Sequence, residues 1–214
     1  MKLLILAANG QIAQIVEQRL LNEPAFQDID LTLGLRNKNR LANLQKQATI
    51  LEVDLTNSQE VEQAVAGQDL VFVGVVDHTS NNVITKNVIA AMKKHQVQRV
   101  IFTNILGLYN EVSGEFGRWN HEQVLSGLPA AINSDQLLAE SGLQYTTLRL
   151  PWLNDRNEVK YTITTKDQPY NGVSGSRQSI ADVILQIINN PDLFVNESIG
   201  IADPNTQGAK RPVY

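Results

Sequence analysis

The chain has 214 residues, 43% of them hydrophobic, which is enough to bury the core of one substantial α/β domain. A formal net charge of -4 argues against a nucleic-acid surface, and the absence of cysteine excludes disulfides, thiolate metal sites and cysteine nucleophiles. No run approaches the ~20 apolar residues of a membrane span, and the N-terminus lacks the pattern of a signal peptide. The expected location is therefore the cytoplasm, with no membrane and no nucleic-acid partner.

Lys2-Leu3-Leu4-Ile5-Leu6 reads as a buried strand, followed by the small-residue turn Ala7-Ala8-Asn9-Gly10 and a helix over about 11–21 with Ile12, Ile15, Val16 and Leu20 periodic. Strand, tight turn and helix in this order form the first unit of a dinucleotide-binding fold. The turn brings backbone N–H groups to a pyrophosphate, and the helix start adds oriented amides. Glycines spaced as G-x-x-G-x-x-G would fall at 7, 10 and 13. Only Gly10 is present, with alanine at the other two positions. Alanine suits the third position, but fits the first poorly if that residue needs a positive φ.

Further along, Ile29–Leu35 reads as a second strand, 37–47 as a helix with Leu41 and Leu44 on one face, and Thr49–Val53 as a third strand. Asn57 or Ser58 caps a helix bearing Val61, Ala64 and Val65. Leu70–Val76 is continuously apolar, which predicts a central strand covered on both faces. A helix over 80–95 and a strand over Arg99–Thr103 follow. Residues 104–118, with three glycines, read as a long loop. A helix over 130–141, a strand over Tyr145–Arg149 ended by Pro151, a helix over Gln178–Ile188 and a short strand over Ser198–Ile201 complete the chain. The alternation predicts a Rossmann-like, doubly wound parallel sheet with helices on both faces. The expected organisation is a single domain over 1–214, with a nucleotide-binding core over 1–150 and a short C-terminal extension over 151–214.

The succession Leu6-Ala7-Ala8-Asn9-Gly10-Gln11-Ile12, Leu35-Arg36, Val53-Asp54-Leu55-Thr56, Gln68-Asp69-Leu70-Val71 and Ser141–Pro151 resembles the atypical short-chain dehydrogenase/reductases, and within them the NmrA-like and NAD(P)H-binding members. The resemblance runs through nearly the whole chain. It implies a cofactor site built from Ala8, Asn9, Gly10, Gln11 and Ile12 at the pyrophosphate and from Asp54 and Leu55 beside the adenine. Gly74, Val75 and Val76, at the end of the fourth strand, would pass the ribose. Thr103 and Asn104, ending the fifth strand, and Pro151 and Trp152, closing the sixth, would lie toward the nicotinamide. A turn or helix cap is an equally good local use of Asp54, and a core aromatic an equally good use of Trp152.

The second strand ends in Arg36-Asn37-Lys38, with no acid and two cations. An acid there bonds the ribose 2′-hydroxyl of NAD, whereas Arg accommodates the 2′-phosphate of NADP. The expected cofactor is NADP, with NAD possible. A solvated Arg at a helix start is the alternative.

The typical members of the superfamily use Tyr-x-x-x-Lys for proton transfer. The residues four beyond Tyr109, Tyr145, Tyr161 and Tyr170 are Ser113, Arg149, Thr165 and Ser174, and Tyr214 ends the sequence, so the dyad is absent. Tyr109 is the candidate proton donor, with His121 behind it. His78 and His95 read as loop and helix-end residues, and no metal-ligand spacing is present. The expected activity is NADPH-dependent reduction of a flavin, quinone or similar small-molecule acceptor by a monomer or homodimer. The alternative is a nucleotide-sensing regulatory protein without turnover. A sugar-nucleotide epimerase is a weaker reading, because the C-terminal region is short for a substrate domain.

Overall fold

A computed structural model describes residues 1–214. Its main sheet has the order β3-β2-β1-β4-β5-β6-β10-β8. The strands are β1 (Lys2–Leu6), β2 (Asp30–Leu35), β3 (Thr49–Glu52), β4 (Leu70–Val73), β5 (Arg99–Ile105), β6 (Gln144–Leu150), β8 (Thr162–Thr164) and β10 (Glu197–Ala202). Every pairing in it is parallel except β8 on β10. The expected doubly wound sheet is therefore found, with an antiparallel strand at one edge.

Helices cover both faces. On one side α1 (Gln11–Asn22) and α6 (Arg177–Asn189) pack over Leu3, Ile5, Leu33, Ile101 and Ile199. On the other, α2 (Ser58–Val65), α3 (Val83–Lys94) and α5 (Leu128–Ala139) pack over Leu4, Leu6, Val71, Val100 and Phe102. All four residues of β4 are buried, as a strand covered on both faces requires. Asn57 is the N-cap of α2, its side chain accepting from Gln59 N–H and Glu60 N–H.

Three stretches depart from the expected pattern. Residues 38–44 form a 3-10 segment with a kink at Leu41, not an α-helix. The Asn37 side chain caps the segment by accepting from Asn39 N–H, and the non-helical backbone at Leu41 breaks it. Residues 104–118 are only partly a loop: β5 runs on to Ile105, and α4 (Gly114–Val124) begins inside the stretch. The glycines mark that helix's start. A Cβ on Gly117 would stand 2.1 Å from the Val112 carbonyl oxygen, so only glycine lets the first turn lie against the preceding loop. Beyond β6, the three-residue strands β7 (Trp152–Asn154) and β9 (Ser174–Ser176) pair as a small second sheet. Like β8, they are too short to show a period in the sequence.

Candidate dinucleotide-binding site

Strand β1 has β2 on one side and β4 on the other, so the strand order reverses there. Ligands of open α/β sheets bind beyond the carboxyl ends of the strands at such a reversal. A cleft of about 700 Å³ opens at that place. Its walls come from the turns after β1 (Ala7, Asn9, Gly10), β2 (Leu35, Arg36, Asn37, Arg40), β3 (Asp54, Leu55, Thr56) and β4 (Gly74, Val75).

The loop after β1 holds a strained shape. Ala7 takes φ 59°, the left-handed conformation in which glycine would sit without cost. The Ala8 side chain is fully buried, and its N–H is spent on the Gly34 carbonyl at 3.1 Å, so Ala8 supports the loop from beneath rather than lining the cleft. Gln14 Nε2 holds the Asn9 carbonyl at 2.8 Å. Gly10 caps α1 with no side-chain bond, and the first turn carries no acid. The amides of Gln11 and Ile12 are thus aimed outward without an intrahelical acceptor. The Gln11 side chain is exposed and Ile12 packs on the core. A Cβ on Gly10 would stand 3.3 Å from the Ala7 carbonyl oxygen and 3.5 Å from that of Gly74. Glycine leaves this corner uncrowded, and a side chain there would press on the Ala7 carbonyl.

Across the cleft, Asp54 takes the turn use expected of it locally and leaves one carboxylate oxygen open. Its Oδ1 accepts from Thr56 N–H at 2.9 Å and from Thr56 Oγ1 at 2.8 Å, an Asx turn, while Oδ2 stays free. These bonds from Thr56, with a smaller contribution from the Arg36 charge, hold the Asp54 carboxyl below the usual range. Glu60 Oε2 fixes the turn by accepting from Asp54 N–H at 2.7 Å. The Leu55 N–H has no partner within the chain, and Leu55 O accepts from Asn87 at 3.0 Å. A free carboxylate oxygen beside a free N–H matches the amino group and ring nitrogen of an adenine.

The cationic wall differs from the expected one. Arg36 lines the cleft, but its companion there is Arg40 and not Lys38. The 3-10 segment explains the exchange, since its turn carries Lys38 out of the wall and Arg40 into it. The sequence signal was a second cation four residues after Arg36.

The residues assigned to the nicotinamide side are not part of this cleft. Gly74, Val75 and Val76 do not end β4; they follow it, because the strand stops at Val73. Val76 lies beyond the wall, where the buried Asp77 shapes the turn. Burial opposes the Asp77 charge. Bonds from the N–H and hydroxyl groups of Thr79 and Thr85 outweigh that and keep its pKa lowered. Thr103 and Asn104 lie two and one residues before the end of β5, respectively, and are buried. The Asn104 amide donates to the Ala131 carbonyl at 2.9 Å and its oxygen accepts from Ile105 N–H at 2.9 Å, which docks α5. Pro151 follows β6. Trp152 opens β7, donates from Nε1 to Asn120 Oδ1 at 2.9 Å and packs against Trp119, with ring centroids 4.8 Å apart and planes tilted by 48°. It is an aromatic of a satellite apolar cluster, the local alternative foreseen for it.

Tyr109 is 39% exposed, and its hydroxyl donates to Asp135 Oδ2. Burial of the phenol oxygen, and then this bond to a carboxylate, push the phenol well above its ordinary pKa. Arg149 lies over the Tyr109 ring at 5.4 Å and forms a fully buried ion pair with Glu111 at 2.7 Å. The Glu111 carboxylate also accepts from Gly107 N–H and Tyr109 N–H. Thirty-eight residues separate the pair, and no local motif announces it. His121 is exposed on α4 and His78 is exposed beside Gly127.

A cleft at the strand-order reversal of a doubly wound parallel sheet, walled by the turns after β1 to β4, is the arrangement of a Rossmann-fold protein. The NAD(P)H-binding family model matches residues 7–191, and the chain belongs to that family. It is similar to a short-chain dehydrogenase/reductase of Veillonella parvula DSM 2008 solved in complex with NADP, at 28% identity over 100% of this chain and 99% of that one, with a TM-score of 0.90. It is also similar to a Rossmann-fold NAD(P)-binding family protein of Shigella flexneri, at 32% identity over 100% and 98% of the two chains and a TM-score of 0.79. An anaerobilin reductase of Escherichia coli O157:H7 shares the fold, at 19% identity over 98% of this chain and 100% of that one and a TM-score of 0.77.

Proposed function

We propose that the protein binds NADP(H) in preference to NAD(H) and reduces a small conjugated acceptor such as a flavin or quinone. The observation that carries the cofactor choice is the pairing of Arg36 and Arg40 in a wall that holds no acid at the end of β2. Guanidinium forks suit the 2′-phosphate, and each charge-assisted contact contributes about 1.5–3 kcal/mol. The NADP complex of the Veillonella protein supports the same choice. In this reading Gly10, Gln11 and Ile12 present backbone N–H groups to the pyrophosphate, and Asp54 Oδ2 and the Leu55 N–H hold the adenine.

NADPH supplies a hydride. The protein's part is to orient cofactor and acceptor and to exclude water. A ketone receiving hydride becomes an alkoxide and needs a positioned acid, which typically contributes ~10²–10⁴-fold. Tyr109 serves poorly, since its proton is already donated to Asp135. A quinone or oxidised flavin spreads the arriving charge and takes its proton from water.

Calorimetric titration of NADPH and NADH against wild type, Arg36→Ala and Arg40→Ala tests the cofactor choice. Equal affinities in the wild type, or unchanged discrimination in both variants, would remove it. NADPH oxidation with menadione, FMN and simple ketones tests the acceptor. Rapid ketone reduction would refute the acceptor class. A second reading, a nucleotide sensor without turnover, draws on the same Tyr109–Asp135 contact, and tight NADPH binding with no oxidation by any acceptor would select it.

A further inference from the structure

Glu17 projects from α1 into a place the cofactor reading does not use. It is only 2% exposed, its Oε1 is sealed from solvent, and its carboxyl meets no hydrogen-bond donor or cation of the chain. Two nearby cations are spent elsewhere, and Arg40, on the wall of the groove, forms no ion pair with Glu17. Arg19 on the same helix is held by Glu23 at 2.5 Å and by Asp182 on α6 at 3.0 Å, and Arg177 is held by Asp155 at 2.7 Å. Burial without a partner pushes the Glu17 carboxyl up to about 8. An unpaired buried carboxyl is costly to keep, and a group from outside the chain removes that cost when it brings a donor.

The space for such a group is present. Glu17 lines a second groove, of about 680 Å³, between α1, the 3-10 segment with the turn that follows it, and residues 155 and 177. The carboxamides of Gln14, Gln18, Asn43 and Gln47 surround it, with Leu21 and Leu44 as apolar wall. Its charged side chains besides Glu17 are Arg40, which also lines the first cleft, and the closed Asp155–Arg177 pair. An ionised carboxylate only accepts hydrogen bonds, and amide oxygens add acceptors without charge. A divalent metal calls for several oxygen ligands in a close cage, whereas one carboxylate among long amide side chains suits a larger, singly charged donor.

We propose that this groove is a second ligand site, taking a small organic cation of the guanidinium or primary-ammonium class with Glu17 as its counter-ion. The site is independent of the cofactor reading, although Asn9 and Arg40 border both spaces.

The test is calorimetry with agmatine as the probe and 1,4-butanediol as the neutral control, on the full chain without nucleotide. Agmatine is expected to bind and the diol not to. Affinity should be about tenfold higher near pH ~9 than near pH ~7, because more of Glu17 is ionised there. Glu17→Gln should lose at least about tenfold in affinity and all of that pH dependence. In the wild type, agmatine should shift the side-chain amide resonances of Gln14, Gln18, Asn43 and Gln47. No binding, equal binding to Glu17→Gln, equal binding of the diol, or shifts confined to other residues would each overturn the proposal.

Discussion

The two ends of the crevice are built differently. On the β1–β4 side, polar groups are left free around a preformed cleft: the Leu55 N–H, Asp54 Oδ2, the first amides of α1 and the two arginines. On the β5–β6 side most of the side chains assigned to the site are consumed internally, although Asp135 Oδ1, Thr147 Oγ1, Arg149 Nε and Ser198 Oγ are buried without a partner. Asn104 docks α5, Trp152 bonds Asn120, Tyr109 bonds Asp135, and Glu111 neutralises Arg149. Free donors and acceptors mark a surface made for a ligand, since burying them unpaired would be costly. Satisfied ones mark a scaffold. In the proposed reading the first region recognises a nucleotide by polar contact, whereas the second offers shape and aromatic surface.

The sharpest way to break this comparison is to unpair the scaffold. Removing one member of a buried ion pair strands the other, so Glu111→Gln should lower the unfolding free energy by about 3–5 kcal/mol in urea titrations. NADPH affinity of the folded fraction should be unchanged, because Glu111 lies outside the cleft. An equal loss of nucleotide affinity would show that the two regions are one cooperative unit.

Glu17 tests a buried group that neither region uses. Its folded-state pKa is raised to about 8, so the unfolded chain gives up the proton at lower pH than the folded one. Stability should therefore fall as pH rises from about 4.5 to about 8, by on the order of a few kcal/mol. Glu17→Gln should flatten that slope in pH-dependent melts. A wild type as stable near pH ~8 as near pH ~5 would show that the carboxyl is solvated in solution.

On the nucleotide side, Arg36→Ala and Arg40→Ala should each weaken NADPH binding by about 1.5–3 kcal/mol and leave NADH binding nearly unchanged. If Lys38→Ala matches them, the cationic wall is not the one the 3-10 segment presents. The smallest effects concern single contacts. Tyr109→Phe leaves Asp135 without its donor and should cost about 1–3 kcal/mol of stability, with little change in flavin or quinone reduction. Ala7→Gly removes the left-handed strain but frees the unfolded chain, so a net gain within about 1 kcal/mol is expected from melting curves.

Where each feature could be read follows from the range of the forces behind it. The strand–turn–helix of residues 2–22, the fully apolar β4, the Asn57 cap and the sheet class were legible because each depends on neighbours close in sequence: hydrophobic period, turn chemistry and side-chain-to-backbone bonds. The loops that wall the first cleft were legible for the same reason, since each follows directly on a strand. The sequence also raised the question of Ala7, but only the fold required its positive φ. Local reading failed where two distant segments decide. Gly117 looked like a loop residue until Val112 stood against it, and Lys38 looked like the companion of Arg36 until the 3-10 turn put Arg40 in the wall instead. Glu111 and Arg149 carry no mutual signal across the intervening residues, and the isolation of Glu17 depends on α6 and the 3-10 segment closing over α1. Local periodicity and turn chemistry determined the elements and the glycine corner after β1. Tertiary packing alone decided which polar groups were spent and which were left free, because desolvation and pairing are properties of the assembled interior.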